Sequence, residues 1–369
     1  MERPLTNYLN QKARAMGIPL SGVFELSPVC NLSCKMCYVR RTEQEVKAHN
    51  RPILTLSQWK ELGDKAFEAG TLFLLLTGGE PFLYKDFREL YEYLHAKGFL
   101  ISINTNGTLI DDNAVKLLSE MPPARVNVTL YGAGSDTYKR LCGVGLYDKV
   151  TENIDKLINA GICVKLNCSL TPENAGDIEN IVKFARERRI QLEMSAYMFP
   201  PARRETADFR RFTPKEAAYY TLEYIRLSKS EEEYRGFVEQ AAKGQAQLPP
   251  ADESCIDPVD GKVRCQAGRS SYWITWDGYM LPCGMFTGVK SDIAAGFDKA
   301  WSDIREKISG LTLSGVCEKC GNRGICHCCL SMAYAETGSP SGVPKYLCEM
   351  TEEVCRMAKA RLRENDKNF

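Results

Sequence analysis

The sequence predicts an α/β fold, a parallel sheet built from six βα repeats, on three observations. Short β-rich runs alternate with helical segments, glycines follow the helical segments, and most strands alternate polar with apolar residues. The strand candidates are 23–27, 72–77, 100–105, 126–131, 163–169 and 191–197. Between them lie amphipathic stretches such as Ser57 to Ala69 and Asp86 to Lys97, followed by Gly70 and Gly98, where a C-cap glycine belongs. Four strands alternate strictly. Ser102 and Asn104, Asn127 and Thr129, Lys165 and Asn167, then Gln191, Glu193 and Ser195 share one face, while Ile101, Val128, Leu166 and Met194 share the other. Successive side chains of a strand point to opposite faces, so the apolar set meets the helices and the polar set, with Glu25, lines a barrel lumen. Cys168 has the apolar parity of Val164 and Leu166 and is read as packing.

The 369 residues carry 48 Lys and Arg against 47 Asp and Glu, which excludes a broad electrostatic footprint for nucleic acid or an anionic membrane surface. The longest apolar run, Leu72 to Leu76, falls far short of the roughly 20 residues of a spanning helix, and the polar start lacks a signal-peptide core. A cytoplasmic, membrane-free protein is expected. In that reducing compartment 16 Cys read as metal or redox groups rather than disulfides. Arg203, Arg204, Arg210 and Arg211 lie in a charged stretch of helical pattern over 200–250, read as a solvated face or, alternatively, as a docking surface for acidic peptide residues.

Cys30, Cys34 and Cys37 follow the first strand, at the barrel end where active sites are built. Three thiolates at this spacing hold three irons of a [4Fe-4S] cluster and leave the fourth open. The alternative is a zinc or structural cluster that recruits a distant Cys. The loop after the second strand reads Thr77-Gly-Gly-Glu-Pro81 and that after the third Thr105-Asn-Gly107, so three loops converge on one rim. Here the chain resembles the radical SAM superfamily: CxxxCxxC is matched at Cys30, Cys34 and Cys37, and GGEP at Gly78 to Pro81. The resemblance, over most of residues 20 to 230, implies a partial (β/α)6 TIM-like barrel. It also implies that S-adenosylmethionine (SAM) chelates the open iron, with Gly78, Gly79 and Glu80 holding its ammonium. One electron then yields a 5′-deoxyadenosyl radical that removes hydrogen from a substrate. It further implies SAM contacts at Met36 and Tyr38, which flank Cys37 where relatives place an aromatic residue just before the third Cys, at Thr129, and at Asn104 and Asn167. Arg140 is assigned to the SAM carboxylate, although relatives often carry that Arg where this chain has Cys142.

Downstream, Cys265, Gly278 and Cys283 precede Cys317-x2-Cys320-x5-Cys326 and a distant Cys348, and Trp276-Asp-Gly-Tyr279 reads as a hairpin turn that brings Cys265 and Cys283 together. This resembles the SPASM extension of radical SAM enzymes, which holds two auxiliary [4Fe-4S] clusters. The last cysteine of its Cx5Cx3C segment falls at Leu330, with Cys328 and Cys329 just before it. The ligand sets implied are Cys317, Cys320, Cys326 and Cys348, and Cys255, Cys265, Cys283 and Cys329, for three [4Fe-4S] clusters in all. A zinc ribbon on Cys317, Cys320, Cys326 and Cys329 is the alternative, and His327 is read as a bystander. Of the remaining cysteines, Cys142 is the spare-thiol candidate. The expected organisation is an N-terminal segment 1–19, the partial barrel 20–230, a linker 231–254 and the SPASM domain 255–369.

The resemblance implies a maturase of a ribosomally made peptide or protein, forming thioethers or crosslinks or epimerising residues. An electron donor such as flavodoxin or ferredoxin is implied. So is a separate leader-binding protein, because 29 residues before Cys30 are too few for a leader-binding domain. The alternative is a radical dehydrogenase or epimerase of an alcohol or sugar. Formylglycine formation is less favoured, since sulfatase maturases carry a base, Asp, directly after the cysteine matching Cys283, and here Gly284 stands.

Overall fold

The computed structural model describes residues 3–201, 203, 209–246 and 265–365. Strands β1 (Ser21–Glu25), β2 (Phe73–Thr77), β3 (Leu100–Thr105), β4 (Arg125–Thr129), β5 (Val164–Ser169) and β6 (Gln191–Ser195) pair in parallel in chain order. Parallel neighbours need long crossovers, and helices such as Leu56–Glu68, Phe87–Ala96 and Ile178–Glu187 supply them. The first shows why these residues are helical. Thr55 and Gln58 form a reciprocal capping box, Trp59, Leu62 and Ala66 make one buried stripe, and Gly70 at φ +95° follows the helix end. The predicted positions of all six strands hold to within about two residues.

The sheet is open. β6 forms one edge, and beyond β1 it continues through β7 (Ser271–Ile274), β8 (Tyr279–Leu281) and β9 (Ser291–Asp292). β7 pairs in parallel with β1, Val23 opposite Trp273, while β8 and β9 add antiparallel strands. The expected hairpin forms, turning at Gly278 with φ +83°. The cysteine-rich region thus shares the barrel's sheet. Residues 231–242 of the expected linker form the helix Glu231–Ala242, capped by Ser230 and packed against the C-terminal helix Lys345–Asn365. Among the described residues no helix is long and apolar enough to cross a membrane.

Strand parity places side chains as expected. Ile101, Ile103, Val126, Val128, Leu166 and Cys168 are buried in one apolar core with the helices. On the other face Asn127 Nδ2 donates to Asn104 Oδ1 at 2.7 Å, and Lys165 pairs with Glu193. The register lines up Asn104, Asn127 and Lys165 in one row across β3 to β5, and Thr129, Asn167 and Glu193 in another across β4 to β6. Two of the four arginines depart from both readings offered for the run, while Arg210 is exposed and Arg204 lies outside the described residues. Arg211 donates bidentately to buried Glu336 and stacks 3.8 Å over Tyr346, and Arg203 pairs with buried Glu25. Both arginines are spent inside the fold.

Candidate active site

Past β1 the chain runs along the loop that follows β2. Gly79 N–H donates to Ser27 C=O at 2.7 Å and Glu80 N–H to Val29 C=O at 3.0 Å. Gly78 has φ +152°, and a Cβ there would lie 2.4 Å from Ser27 C=O; one at Gly79 would lie 2.4 Å from Val29 C=O. The paired glycines therefore serve first to let two backbones touch just before Cys30. Gly78→Ala is expected to cost about 1–3 kcal/mol of stability in thermal denaturation, because the strained backbone has to move and displace the cysteine loop with it.

Cys30, Cys34 and Cys37 are half-buried and unbridged. Cys37 N–H donates to Cys34 C=O, while Ser33 and Lys35 N–H donate to the carbonyls of Cys142 and Leu141, which pins the loop to the helix Ser135–Cys142. Cys30 Sγ accepts from Leu32 N–H at 3.4 Å, and Cys37 Sγ from Arg40 N–H at 3.3 Å. Burial pushes the Cys30 thiol up to about 12, and Glu80, Cys34 and Cys37 push it the same way. Three thiols on one loop form a donor set whose chemistry fits an iron-sulfur centre. Among the described residues no three His, Cys, Asp or Glu side chains form a compact single-ion site. A multi-iron cluster wants its thiolates farther apart. Cys142 is fully buried beside Cys34 rather than lining the neighbouring cavity.

That cavity, about 380 Å³, opens beside Cys37. Met36, Tyr38, Gly78, Gly79, Asn104 and Thr129 line it as expected, and among the described residues no charged side chain does. The rest of the wall includes Tyr131, Met285, Phe209 and the run Tyr197 to Pro201. Sequence reasoning missed that run, although its place directly after β6, at the strands' C-terminal end, was a usable signal.

Three expected contacts are corrected. Glu80 does not reach the cavity. Its fully buried carboxylate accepts from Thr105 Oγ1 and Asn106 N–H, each at 2.8 Å, and from Phe82 N–H at 3.3 Å, tying the loops after β2 and β3 together. Desolvation holds it up at about 7 despite those donors. Glu80→Ala is expected to lower stability by about 1–3 kcal/mol in urea denaturation, because three buried donors lose their acceptor. Arg140 is exposed, donates from one nitrogen to Thr137 Oγ1 at 3.0 Å and Glu173 C=O at 3.4 Å, and does not line the cavity. Asn167 sits half-buried between Thr129 and Glu193 in the lumen, off the cavity wall.

One buried ion pair lies near Tyr38 of the cavity wall. Glu25 at the end of β1 accepts from Arg203 at 2.6 and 2.8 Å and from Trp273 Nε1 at 2.8 Å. The Arg203 guanidinium lies 5.9 Å from the Tyr38 ring centre, and burial raises the Tyr38 hydroxyl. Gly284 packs flat on Trp273, where a Cβ would come within 2.9 Å of the indole.

The C-terminal cysteines form two groups. The Cys348 thiol is raised by burial and by Cys326, Cys317 and Cys320 nearby. Cys329, raised by burial and by Cys283, shares a cavity of about 680 Å³ with Cys265 and Cys328. Cys328 is the more deeply packed of the adjacent pair, in a cluster with Ala333 and Leu347. Cys255 lies outside the described residues. His327 bonds Gly324 C=O, and burial lowers its basicity.

Residues 24–185 match the model of the radical SAM superfamily. A probable GTP 3′,8-cyclase of Thermococcus kodakarensis is 30% identical over 218 residues, covering 58% of this chain and 69% of that protein. Another, of Sulfurisphaera tokodaii, is 35% identical over 164 residues, 44% of this chain, and the match spans half of that protein's length. Mycofactocin maturase MftC of Mycobacterium tuberculosis is 23% identical over 98% of this chain and 90% of its own. Among solved structures, native anSMEcpe with bound AdoMet aligns at TM-score 0.70 and 19% identity, over 95% of this chain and all of the other. Streptococcus suis SuiB bound to precursor peptide SuiA aligns at 0.65 and 20%, over 92% of this chain and 78% of its own. Both share the fold. With the cysteine loop inside the matched span and the Thermococcus likeness covering more than two thirds of that relative, the chain belongs to the radical SAM superfamily of enzymes.

Proposed function

We propose that this enzyme cleaves SAM reductively at a [4Fe-4S] cluster held by Cys30, Cys34 and Cys37, and modifies a ribosomally made peptide or protein. The observation that carries the first half is the three-thiol loop beside a cavity that, among the described residues, no charged side chain lines. Among the described residues no carboxylate or imidazole lines that cavity to compete for the position that SAM would take. When bound, the cluster and SAM supply one-electron cleavage of a sulfonium and, through it, hydrogen-atom removal from carbon. The chain's own part is placement. Gly78 and Gly79 bring their loop against the cysteine segment, Asn104 and Thr129 offer polar contacts, and Tyr38, Tyr197 and Phe199 exclude water.

Cys317, Cys320, Cys326 and Cys348 are proposed to hold one auxiliary cluster. Cys265, Cys283 and Cys329, with Cys255, are proposed to hold the other. Proximity of the thiols within each described group supports the division. A flavodoxin or ferredoxin is the proposed electron source, with a separate protein binding the peptide leader.

The peptide reading rests on full-length similarity to a mycofactocin maturase and on a shared fold with an enzyme solved with its precursor peptide. The apolar, proline-rich wall Tyr197 to Pro201 suits an extended chain better than a sugar. Formylglycine formation is disfavoured because a side chain at position 284 would collide with Trp273. In the test, anaerobically loaded protein is incubated with SAM, a reductant and a peptide encoded beside its gene. The expected result is 5′-deoxyadenosine together with a peptide lighter by two hydrogens, or one that has taken up solvent deuterium at a Cα. An unchanged peptide, with 5′-deoxyadenosine formation stimulated by an alcohol or sugar, would replace this reading with the small-molecule one.

A further inference from the structure

The hydrogen bonds around the cysteine loop converge on one side chain outside it. Asn106, in the loop after β3, is 8% exposed. Its Nδ2 donates to Cys30 Sγ at 3.6 Å and to Asn31 Oδ1 at 2.9 Å. Its Oδ1 accepts from Thr108 N–H at 2.9 Å and from Thr108 Oγ1 at 2.6 Å. Thr108 Oγ1 accepts in turn from Asn31 Nδ2 at 2.8 Å, and Asn106 N–H is fixed by Glu80.

This ring of bonds decides the amide's orientation. The Thr108 backbone N–H is a donor under any assignment, so the atom facing it must be the oxygen. The amide NH2 is thereby turned to Cys30, and both of its hydrogens have acceptors. Cys30 Sγ also accepts from the Leu32 N–H of its own loop and lies 4.0 Å from Asn31 Oδ1, whereas the Asn106 contact comes from outside the loop and can be removed by substitution.

We propose that Asn106 is a positioning residue for the electron-transfer step, one that sets the reduction potential of the cluster on Cys30, Cys34 and Cys37 by donating an amide N–H to Cys30 Sγ. The proposal rests on the ligand assignment made above. Reduction adds one electron to the cluster and places part of that charge on its sulfurs. A fixed N–H dipole aimed at one of them, in a site largely closed to water, stabilises the reduced form more than the oxidised one. Asn106 thus makes the cluster easier to reduce. It does so without touching SAM or substrate.

The test is an EPR-monitored redox titration of the anaerobically loaded full-length chain, following the reduced signal that changes on addition of SAM. Asn106→Ser is expected to lower the ratio of reduced to oxidised cluster about tenfold at fixed potential, equivalent to ~59 mV for a one-electron couple. Iron content should stay unchanged. Thr108→Val removes two bonds of the same ring and leaves the amide on sulfur, so it is expected to lower stability while the potential stays put. An unshifted potential in Asn106→Ser, or equal shifts in both variants, overturns the proposal. Where the serine variant does not hold its cluster, unaltered protein grown with 15N-asparagine decides. A pulsed-EPR coupling from a side-chain amide nitrogen supports the contact, and absence of that coupling refutes it. No SAM-responsive signal at all in the unaltered chain would instead refute the ligand assignment, and this inference with it.

Discussion

Replacing Cys30, Cys34 and Cys37 together by Ala is expected to abolish 5′-deoxyadenosine formation and to lower bound iron from about twelve to about eight per chain, at four irons for each of three clusters. The loss is complete rather than graded, since none of the neighbouring groups can take over three ligand positions. Glu80 is buried under three donors, Cys142 faces Cys34 from its own helix, and the cavity wall has no charged side chain among the described residues. The loop should still fold, because its anchors are backbone bonds to Leu141, Cys142 and the β2 loop. Iron analysis and chromatography of the nucleoside check the two halves independently. Retained 5′-deoxyadenosine would move the cleavage site elsewhere, and zinc in place of iron at the C-terminal cysteines would restore the zinc-ribbon reading.

Arg203→Met is expected to destabilise the chain by about 3–5 kcal/mol in chemical denaturation, the cost of leaving one buried charge without its partner. Glu25 is 1% exposed in its side chain and Arg203 12%, so water reaches neither end of the pair freely. Trp273 Nε1 can satisfy one carboxylate oxygen but brings no charge. The double variant Glu25→Gln, Arg203→Met should recover much of the loss, because nothing charged then remains buried. Without Arg203 the run from Tyr197 to Pro201 loses a nearby tether to β1, so the cavity wall loosens and SAM affinity should fall in equilibrium binding. A single variant as stable as the parent would show that the pair is screened in solution.

Local chemistry carried much of this protein in plain view. The period-two alternation from Ile101 to Met194 assigned both faces of four strands, because a strand has no way to turn alternate residues to one side. Gly70 and Gly98 marked helix ends through φ values that concern a single residue each. The spacing of Cys30, Cys34 and Cys37 is likewise local, so the cysteine loop was legible before any coordinate.

Only the tertiary structure decided what depends on distant segments meeting. Glu80 read as a ligand because a carboxylate beside two glycines suits an ammonium; its actual partners, Thr105 and Asn106, arrive from the next βα loop. Arg140 has a guanidinium suited to a carboxylate, but the rotation of its helix aims it at Thr137 and Glu173. Nothing local in Ser271 to Ile274 announces that this strand will pair in parallel with β1, 250 positions earlier in chain numbering, and so join the cysteine-rich region to the barrel's sheet. The alternation within a strand is set by the geometry of its own backbone, and the sequence therefore determined the faces, the helix ends and the cysteine loop. Which edge is paired, and which buried charge finds which partner, depend on the order in space of elements far apart along the chain, and that order was settled by folding alone.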